Sequence, residues 1–152
     1  MNTSEHSFEV HRIVVAIDSS AHAASALEAA ATLAAELHAE LEGIFVEDIN
    51  LTRLAALPVG REIQFLTGQA RDFTAAALET QNREQEFSAR RAIAGAAARA
   101  RITHVFRVVR GQVDVEVISA AGNADLLILG LGGKSPGGRG RLGNTARAAA
   151  ER

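Results

Sequence analysis

The sequence predicts an α/β protein, built on an open, doubly wound parallel sheet with helices on both faces. Two observations predict it: four short apolar runs alternate with segments of helical periodicity, and a glycine-rich stretch follows the last run. The chain has 152 residues, of which 47% are hydrophobic and 22% charged, as in one ordinary globular domain. We expect a flexible polar tail at residues 1–9 and the domain at residues 10–152.

The first β-α-β unit is the clearest. A strand is predicted from Val10, and its continuous apolar run Ile13–Ile17 is typical of a strand buried on both faces. The strand ends at Asp18, which can cap the following helix. In that helix, residues that recur at helical spacing are Leu27, Ala30, Ala34, Leu37 and Leu41. The second strand, Leu41–Val46, follows at once, so the connection predicts a parallel sheet.

The middle of the chain predicts a short helical turn at Leu51–Leu57, within an elaboration over residues 50–68, and a long helix at Gln69–Ala100. The residues predicted to share one face of the long helix are Phe73, Ala76, Ala77, Thr80, Phe87, Ala94 and Ala98. Its charged side is interpreted as solvated surface.

The last part of the predicted sheet begins with a third strand at Arg101–Arg110. A short helix follows, with Val113, Val117 and Ile118 facing inward and a stop at Gly122-Asn123. The fourth strand is predicted at Ala124–Leu129.

The stretch Gly130–Thr145, GLGGKSPGGRGRLGNT, connects the fourth strand to a helix predicted from Ala146. Glycines let a backbone approach phosphate closely, and a helix N-terminus supplies positive potential. Lys134, Arg139 and Arg141 add positive charge. A Walker loop fails because Ile128 stands where it needs glycine, and a dinucleotide fingerprint would follow the first strand. The stretch is therefore either an anion site or a solvated surface loop.

The spacing of Gly130, Gly133 and Gly143, with Asn144-Thr145 next, resembles the nucleotide-binding signature of the universal stress protein family. The segment from Arg12 to Asp48 resembles the family's opening β-α-β unit. The resemblance implies a Rossmann-like sheet in strand order 3-2-1-4-5, with ATP bound between the ends of strands one and four.

For individual residues, the resemblance implies that Asp18 reaches the ribose and adenine side and that the backbone of Val46 contacts adenine. The residues implied for the phosphate and ribose are Gly130, Gly133, Gly143, Asn144 and Thr145, and Lys134 supplies local charge. The family carries serine or threonine where Asn144 stands, and Thr145 can substitute for it. Asp18 has an alternative role as a helix cap, and Val46 as a core residue.

The family's fifth strand has no counterpart, since no apolar β-branched run follows the last predicted helix. Either strand five is absent or the sequence is the first half of a tandem protein. We expect a homodimer or a tandem second domain as partner, because the edge of an unpaired apolar fourth strand favours self-association.

A net charge of −2 argues against binding nucleic acid or membranes through bulk charge. The chain has no cysteine and no apolar run of membrane-spanning length, so a cytoplasmic location is expected. The five histidines fall on separate predicted elements, as surface residues would, and no metal site is assigned. Glu47-Asp48 could hold Mg²⁺, or face solvent.

No catalytic constellation is present in the sequence, so at most slow ATP hydrolysis is expected. The predicted function is a stress-response or regulatory module that binds ATP or a related adenine nucleotide, with Mg²⁺. One alternative is a family member that binds no nucleotide and acts as a homo- or hetero-association module. The other is an enzyme whose catalytic groups lie in a missing second half.

Overall fold

The computed structural model describes residues 9–18, 21–57, 74–130, 147 and 149–150. The strands and helices within these ranges are β1 (Arg12–Ala16), α1 (Ala21–Leu37), β2 (Glu40–Asp48), α2 (Ile49–Ala55), α3 (Ala75–Ala100), β3 (His104–Gly111), α4 (Val113–Ala121) and β4 (Leu126–Ile128). All paired strands are parallel and their order is β3-β2-β1-β4. The predicted fold class and the order of the first four strands are confirmed.

Helices cover both faces of the sheet, which explains the continuous apolar run in β1. Ile13 and Val15 are fully buried against residues of α1 and α3, on what we call the α1/α3 face. Val14, between them in sequence, is fully buried on the opposite face, where it packs with Ile44 and with Ala120 of α4. Successive side chains of a strand point to opposite faces, so a central strand covered on both sides needs apolar residues throughout. We call the second face the α4 face.

The buried side of α3 differs from the predicted one. The buried residues of this helix are Leu78, Ala89, Ile93, Ala96 and Ala97. Of the residues predicted to share a face, Phe73 lies outside the described residues and the others are exposed, Phe87 by 63%. Alanines occur on every side of this helix, so their spacing does not single out one face. Leu78 and Ile93 do lie on one side, opposite Phe87, and they give the correct orientation.

Two of the predicted boundaries are wrong for one physical reason. Helix α1 ends at Leu37, so the helical spacing does not extend to Leu41; Leu41 lies in β2, as the predicted strand Leu41–Val46 has it. Strand β3 begins at His104 and not at Arg101. Helix α1 is followed by His38 (φ 55°), and α3 has Arg101 (φ 54°) as its C-cap. These left-handed residues end the helices without the glycine that usually marks such a position.

Other predicted elements agree with the structure to within a few residues. Helix α2 confirms the predicted helical turn, and α4 ends at Ala121 with Gly122 as its C-cap. Strand β4 covers only Leu126–Ile128 of the predicted Ala124–Leu129. Among the described residues, β4 pairs with β1 alone. The predicted lack of a fifth strand concerns residues that are mostly outside the described ranges, so it stays a prediction.

A buried carboxylate lies on the α4 face near the amino end of the sheet. Glu42 is 5% exposed. Its Oε1 lies 2.9 Å from Nη2 of Arg107, and its Oε2 lies 3.7 Å from Nε of Arg12. Arg12 also lies 3.5 Å from Glu40. The two positive and two negative charges balance, so this group links β1, β2 and β3 and has no net charge to attract a ligand.

Within the parts of the chain that the structure describes, no helix is both long enough and apolar enough to cross a lipid bilayer.

Candidate functional site

Strand register brings three of the predicted site residues to one level at the carboxyl edge of the sheet. Ala16 is in register with Ile44, so Asp18 and Val46 each lie two residues beyond a paired position. Val15 is in register with Ile128, so Ile17 and Gly130 each lie two residues beyond a paired position on the other side of β1. The amide of Ile17 donates to the carbonyl of Ile44 at 2.9 Å, which shows that the register continues past the end of β1.

This edge is also where strand order reverses. From β1 the chain passes to β2 on one side through α1, while β4 lies on the other side of β1 and is reached through α4 on the opposite face. In open α/β sheets, ligands bind outside the carboxyl ends of the strands at such a switch point. The residues Asp18, Val46 and Gly130 therefore lie where this fold binds ligands.

Gly130 packs directly against the first turn of α1. A Cβ atom at this position would lie 2.9 Å from the carbonyl carbon of His22, 3.0 Å from its oxygen and 3.1 Å from the amide nitrogen of Ala23. All three are backbone atoms, so they cannot move aside as the end of a long side chain could. Only glycine lets the chain leave β4 at this distance from the helix N-terminus.

Asp18 is exposed and lies three residues before the start of α1. Residues 19 and 20 lie outside the described residues, so its predicted role as a helix cap stays a prediction. Asp18 also lines a cavity between α1 and α3. A carboxylate in this place can accept hydrogen bonds from the hydroxyl groups of a ligand.

Val46 is half-buried and packs on the α4 face with Val14, Ile44 and Ala120. This packing supports its alternative role as a core residue. It leaves open the predicted backbone contact, because side-chain packing does not occupy the peptide groups at the end of β2.

The remaining predicted site residues lie outside the described residues. They are Gly133, Lys134, Gly143, Asn144 and Thr145, together with Arg139 and Arg141. Their assignment stays a prediction.

A cavity of about 170 Å³ opens at the end of β1, between α1 and α3. Ile17 and Asp18 lie at its strand end, and the other residues that line it are Ala24, Leu27, Gln85, Ser88, Ala89 and Ala92. We call it the α1/α3 cavity. Its lining combines apolar side chains with a carboxylate, an amide and a hydroxyl.

The sequence prediction missed Gln85 and Ser88, because it treated the polar side of α3 as solvated surface. Gln85 is half-buried and Ser88 is exposed. A signal was available: Gln85 lies seven residues after the buried Leu78, which places both on nearly the same side of the helix. A polar residue in line with buried ones is a candidate for a site.

Of the two acidic residues at the end of β2, Glu47 and Asp48, the second takes part in local structure. Oδ1 of Asp48 accepts a hydrogen bond of 2.8 Å from the amide of Asn50, so Asp48 is the N-cap of α2. In the described parts of the chain, no group of three or more acidic or histidine side chains could hold a metal ion. The predicted surface position of the histidines is confirmed for His11, His22, His38 and His104, which are all exposed.

Comparisons with known proteins agree with this architecture. The model of the universal stress protein family matches residues 9–152. Among curated proteins, no sequence matches the chain.

Solved structures with a similar fold include the universal stress protein UspA from Lactobacillus plantarum. It is 18% identical, with a TM-score of 0.68 over 94% of this chain and 92% of that one. A universal stress protein in complex with cAMP is 22% identical, with a TM-score of 0.64 over 95% and 92% of the two chains. At these identities the likeness shows the fold alone.

A universal stress protein family member from Burkholderia pseudomallei is 27% identical, with a TM-score of 0.57 over 82% of this chain and 83% of that one. The family model covers nearly the whole sequence, and the parallel sheet has the strand order that the family resemblance implies for the first four strands. The chain belongs to the universal stress protein family.

Proposed function

We propose that this protein binds an adenine nucleotide at the carboxyl ends of β1 and β4 and acts as a cytoplasmic stress-response or regulatory module. The observation that carries the proposal is the convergence of Asp18, Val46 and Gly130 at one level of the sheet, where strand order reverses. A similar structure holds cAMP, an adenine nucleotide, which supports the choice of ligand.

The described residues fit such a ligand. Gly130 brings the backbone close to the first turn of α1, where amide groups and the helix dipole favour an anion. Asp18 is exposed beside it, so its carboxylate can accept hydrogen bonds from ribose hydroxyls. The peptide groups at Val46 can pair with the edge of the base.

The glycine-rich segment supplies the phosphate contacts in this proposal. Gly133 and Gly143 let the backbone approach the phosphates, and Lys134 adds charge. The amide of Asn144 and the hydroxyl of Thr145 donate to phosphate oxygens. We expect Mg²⁺ to tighten binding and salt to weaken it, because charge screening acts on solvent-exposed phosphate contacts. We assign no catalytic residue, and hydrolysis of ATP is slow at most.

The test is the ultraviolet spectrum and the binding heat of the purified protein. The chain has no Trp and no Tyr, so a bound adenine would dominate absorbance in the near ultraviolet. We expect an extract of the denatured protein to contain adenine, or added ATP to give binding heat and a higher melting temperature. Gly143→Val should abolish binding, because a β-branched side chain blocks the approach of the backbone to phosphate. Asp18→Ala should weaken binding less.

Gly95→Ala is the control, because Gly95 lies on α3 and does not line the cavity. Circular dichroism checks that each variant is folded. If wild type releases no adenine and takes up no ATP, the nucleotide proposal is wrong and the association module replaces it. Equal titrations of wild type and Gly143→Val would exclude the assigned phosphate segment.

A further inference from the structure

We infer that Gln85 and Ser88 of α3 bind the ribose hydroxyls of the nucleotide together with Asp18, and that they make the site select ribose over sugars that lack these hydroxyls. The inference rests on the proposed function, because it assumes that the ligand is a nucleotide. It adds the polar side of the long helix to a site that otherwise consists of strand ends and the glycine-rich segment.

The order of the strands places the sugar at the end of β1. In the proposed function, the base pairs with peptide groups at Val46, at the end of β2, and the phosphates lie beyond Gly130, at the end of β4. Strand β1 lies between β2 and β4 in the sheet. The ribose joins the base to the phosphates, so it lies over the end of β1, where Asp18 follows the strand.

The α1/α3 cavity opens at this same place. Its lining includes Ile17 and Asp18 from the end of β1, and Gln85 and Ser88 from α3. Its volume, about 170 Å³, is below the roughly 300 Å³ at which pockets begin to enclose whole drug-sized ligands. The cavity therefore takes one part of a nucleotide, and the part nearest to it is the ribose.

The polar groups of the cavity complement a pair of sugar hydroxyls. Each hydroxyl has one proton to donate and an oxygen that accepts. The carboxylate of Asp18 only accepts, so it binds the protons of the hydroxyls and supplies no donor to their oxygens. The amide of Gln85 and the hydroxyl of Ser88 supply those donors from the other side of the cavity.

Both α3 side chains are available for this role. Among the described residues, no hydrogen bond joins the side chain of Gln85 or of Ser88 to another residue. The neighbouring Glu86 instead lies 2.9 Å from Arg90 in an ion pair of the same helix. Gln85 is half-buried, so its amide gains a hydrogen bond from a ligand that water supplies less readily there than at an exposed position.

Calorimetric titration with ATP and with 2′,3′-dideoxy-ATP tests the inference. The two ligands share the base and the triphosphate, so the ratio of their dissociation constants isolates the two sugar hydroxyls. A site that hydrogen-bonds a hydroxyl rejects an analogue without it, because the protein groups are left unpaired. Ser88 is exposed and water compensates in part, so we expect wild type to bind ATP about tenfold more tightly than the dideoxy analogue.

Gln85→Met keeps the length of the side chain and removes its amide. It should lower the affinity for ATP about fivefold and leave the affinity for dideoxy-ATP unchanged, because only ATP offers hydroxyls to the amide. Ser88→Ala should lower the affinity for ATP about threefold in the same selective way.

Gln81→Met is the matched control, because Gln81 is an exposed residue one turn earlier on the same helix and does not line the cavity. It should leave both affinities unchanged. Circular dichroism checks that each variant is folded. A loss of ATP affinity in Gln81→Met equal to that in Gln85→Met would overturn the assignment, since it would not depend on the cavity.

The outcomes separate this inference from the proposed function. If wild type binds ATP and dideoxy-ATP equally, the site does not read the sugar hydroxyls, and nucleotide binding itself stands. If wild type prefers ATP and both Gln85→Met and Ser88→Ala keep that ratio, α3 takes no part in binding the sugar. If wild type binds neither ligand, the proposed function and this inference both fail.

Discussion

Gly130 controls the geometry of the site through the absence of a side chain. The three atoms nearest to a Cβ there would be backbone atoms of His22 and Ala23, at 2.9 to 3.1 Å. In the sequence alone, a glycine that follows an apolar strand is equally typical of a solvated surface loop. Its close approach to α1 shows that the position is structurally constrained whatever ligand it serves.

We predict that Gly130→Ala destabilises the protein by about 1–3 kcal/mol, because the added methyl group forces β4 and the start of α1 apart. Urea unfolding followed by circular dichroism measures the change in the free energy of unfolding. Nucleotide affinity should fall as well, since the backbone moves away from the ligand.

Gly95→Ala is the control for Gly130→Ala, and its expected effect on stability has the opposite sign. Its Cβ would meet only the end of the flexible Arg99 side chain, at 3.2 Å, and the position lies inside α3. Alanine should stabilise the helix by about 0.5–1 kcal/mol. Unchanged stability of Gly130→Ala would contradict the close approach of Gly130 to α1.

The sheet and α3 are packed together through another glycine. Gly43 lies in β2 on the α1/α3 face, and a Cβ there would lie 2.5 Å from Cδ1 of Ile93 and 2.8 Å from Cδ1 of Ile17. Ile93 is fully buried. A strand residue without a side chain therefore makes room for Ile93, the largest fully buried residue of the helix above it.

We predict that Gly43→Ala costs about 1–3 kcal/mol through overpacking and that Ile93→Val relieves part of this cost by removing the Cδ1 atom. Ile93→Val alone should cost about 0.5–1.5 kcal/mol. The double variant should therefore be more stable than the sum of the single changes predicts. Free energies of unfolding of the four proteins complete the cycle.

Val117→Ala is the control for this cycle, because Val117 is a buried residue of α4, which packs on the face of the sheet opposite to Ile93. Its effect should add to that of Gly43→Ala. If the effects of Gly43→Ala and Ile93→Val on the free energy of unfolding were also additive, Ile93 of α3 would not be in close contact with position 43.

At the scale of the molecule, hydrogen bonds to the side chain of Asp125 join the amino ends of β1 and β4, which are more than a hundred residues apart in sequence. Oδ2 of Asp125 accepts hydrogen bonds from the backbone N–H groups of His11, at 2.8 Å, and Arg12, at 3.0 Å. These two bonds hold the pKa of Asp125 below its ordinary value of 3.8, because they favour the charged carboxylate.

The lowered pKa of Asp125 makes the stability of the folded protein depend on pH. A carboxyl group with a lowered pKa in the folded state stabilises that state above its ordinary pKa and loses the contribution as pH falls through the lowered value. We predict that Asp125→Asn lowers the urea midpoint near neutral pH and that the difference from wild type shrinks toward zero as the pH falls below 3.8 and through the lowered pKa of Asp125.

Glu36→Gln is the control, at an exposed position of α1. It should change the midpoint little at any pH. A difference between wild type and Asp125→Asn that is equal at neutral and acid pH would show that the carboxylate charge contributes nothing.

The sequence by itself determined the fold class, the order of the elements and the place of Asp18, Val46 and Gly130 at the carboxyl edge of the sheet. These depend on local signals: the continuous apolar run of β1, the length of each crossover, and the acid or glycine that follows a strand. The positions of Asp18, Val46 and Gly130 follow from those signals, because parallel strands bring their carboxyl ends to one edge.

Only the tertiary structure decided which side of α3 is buried, where α1 and α3 end, and that Gln85 lines the cavity. In an alanine-rich helix many faces are equally able to pack, and the choice is made by what the sheet presents, here the gap above Gly43. The left-handed conformations of His38 and Arg101 are likewise imposed by the strands that must follow. These features depend on contacts between distant residues. The local sequence carries only a weak signal for the buried side of α3, at Leu78 and Ile93, and none for the helix ends at His38 and Arg101.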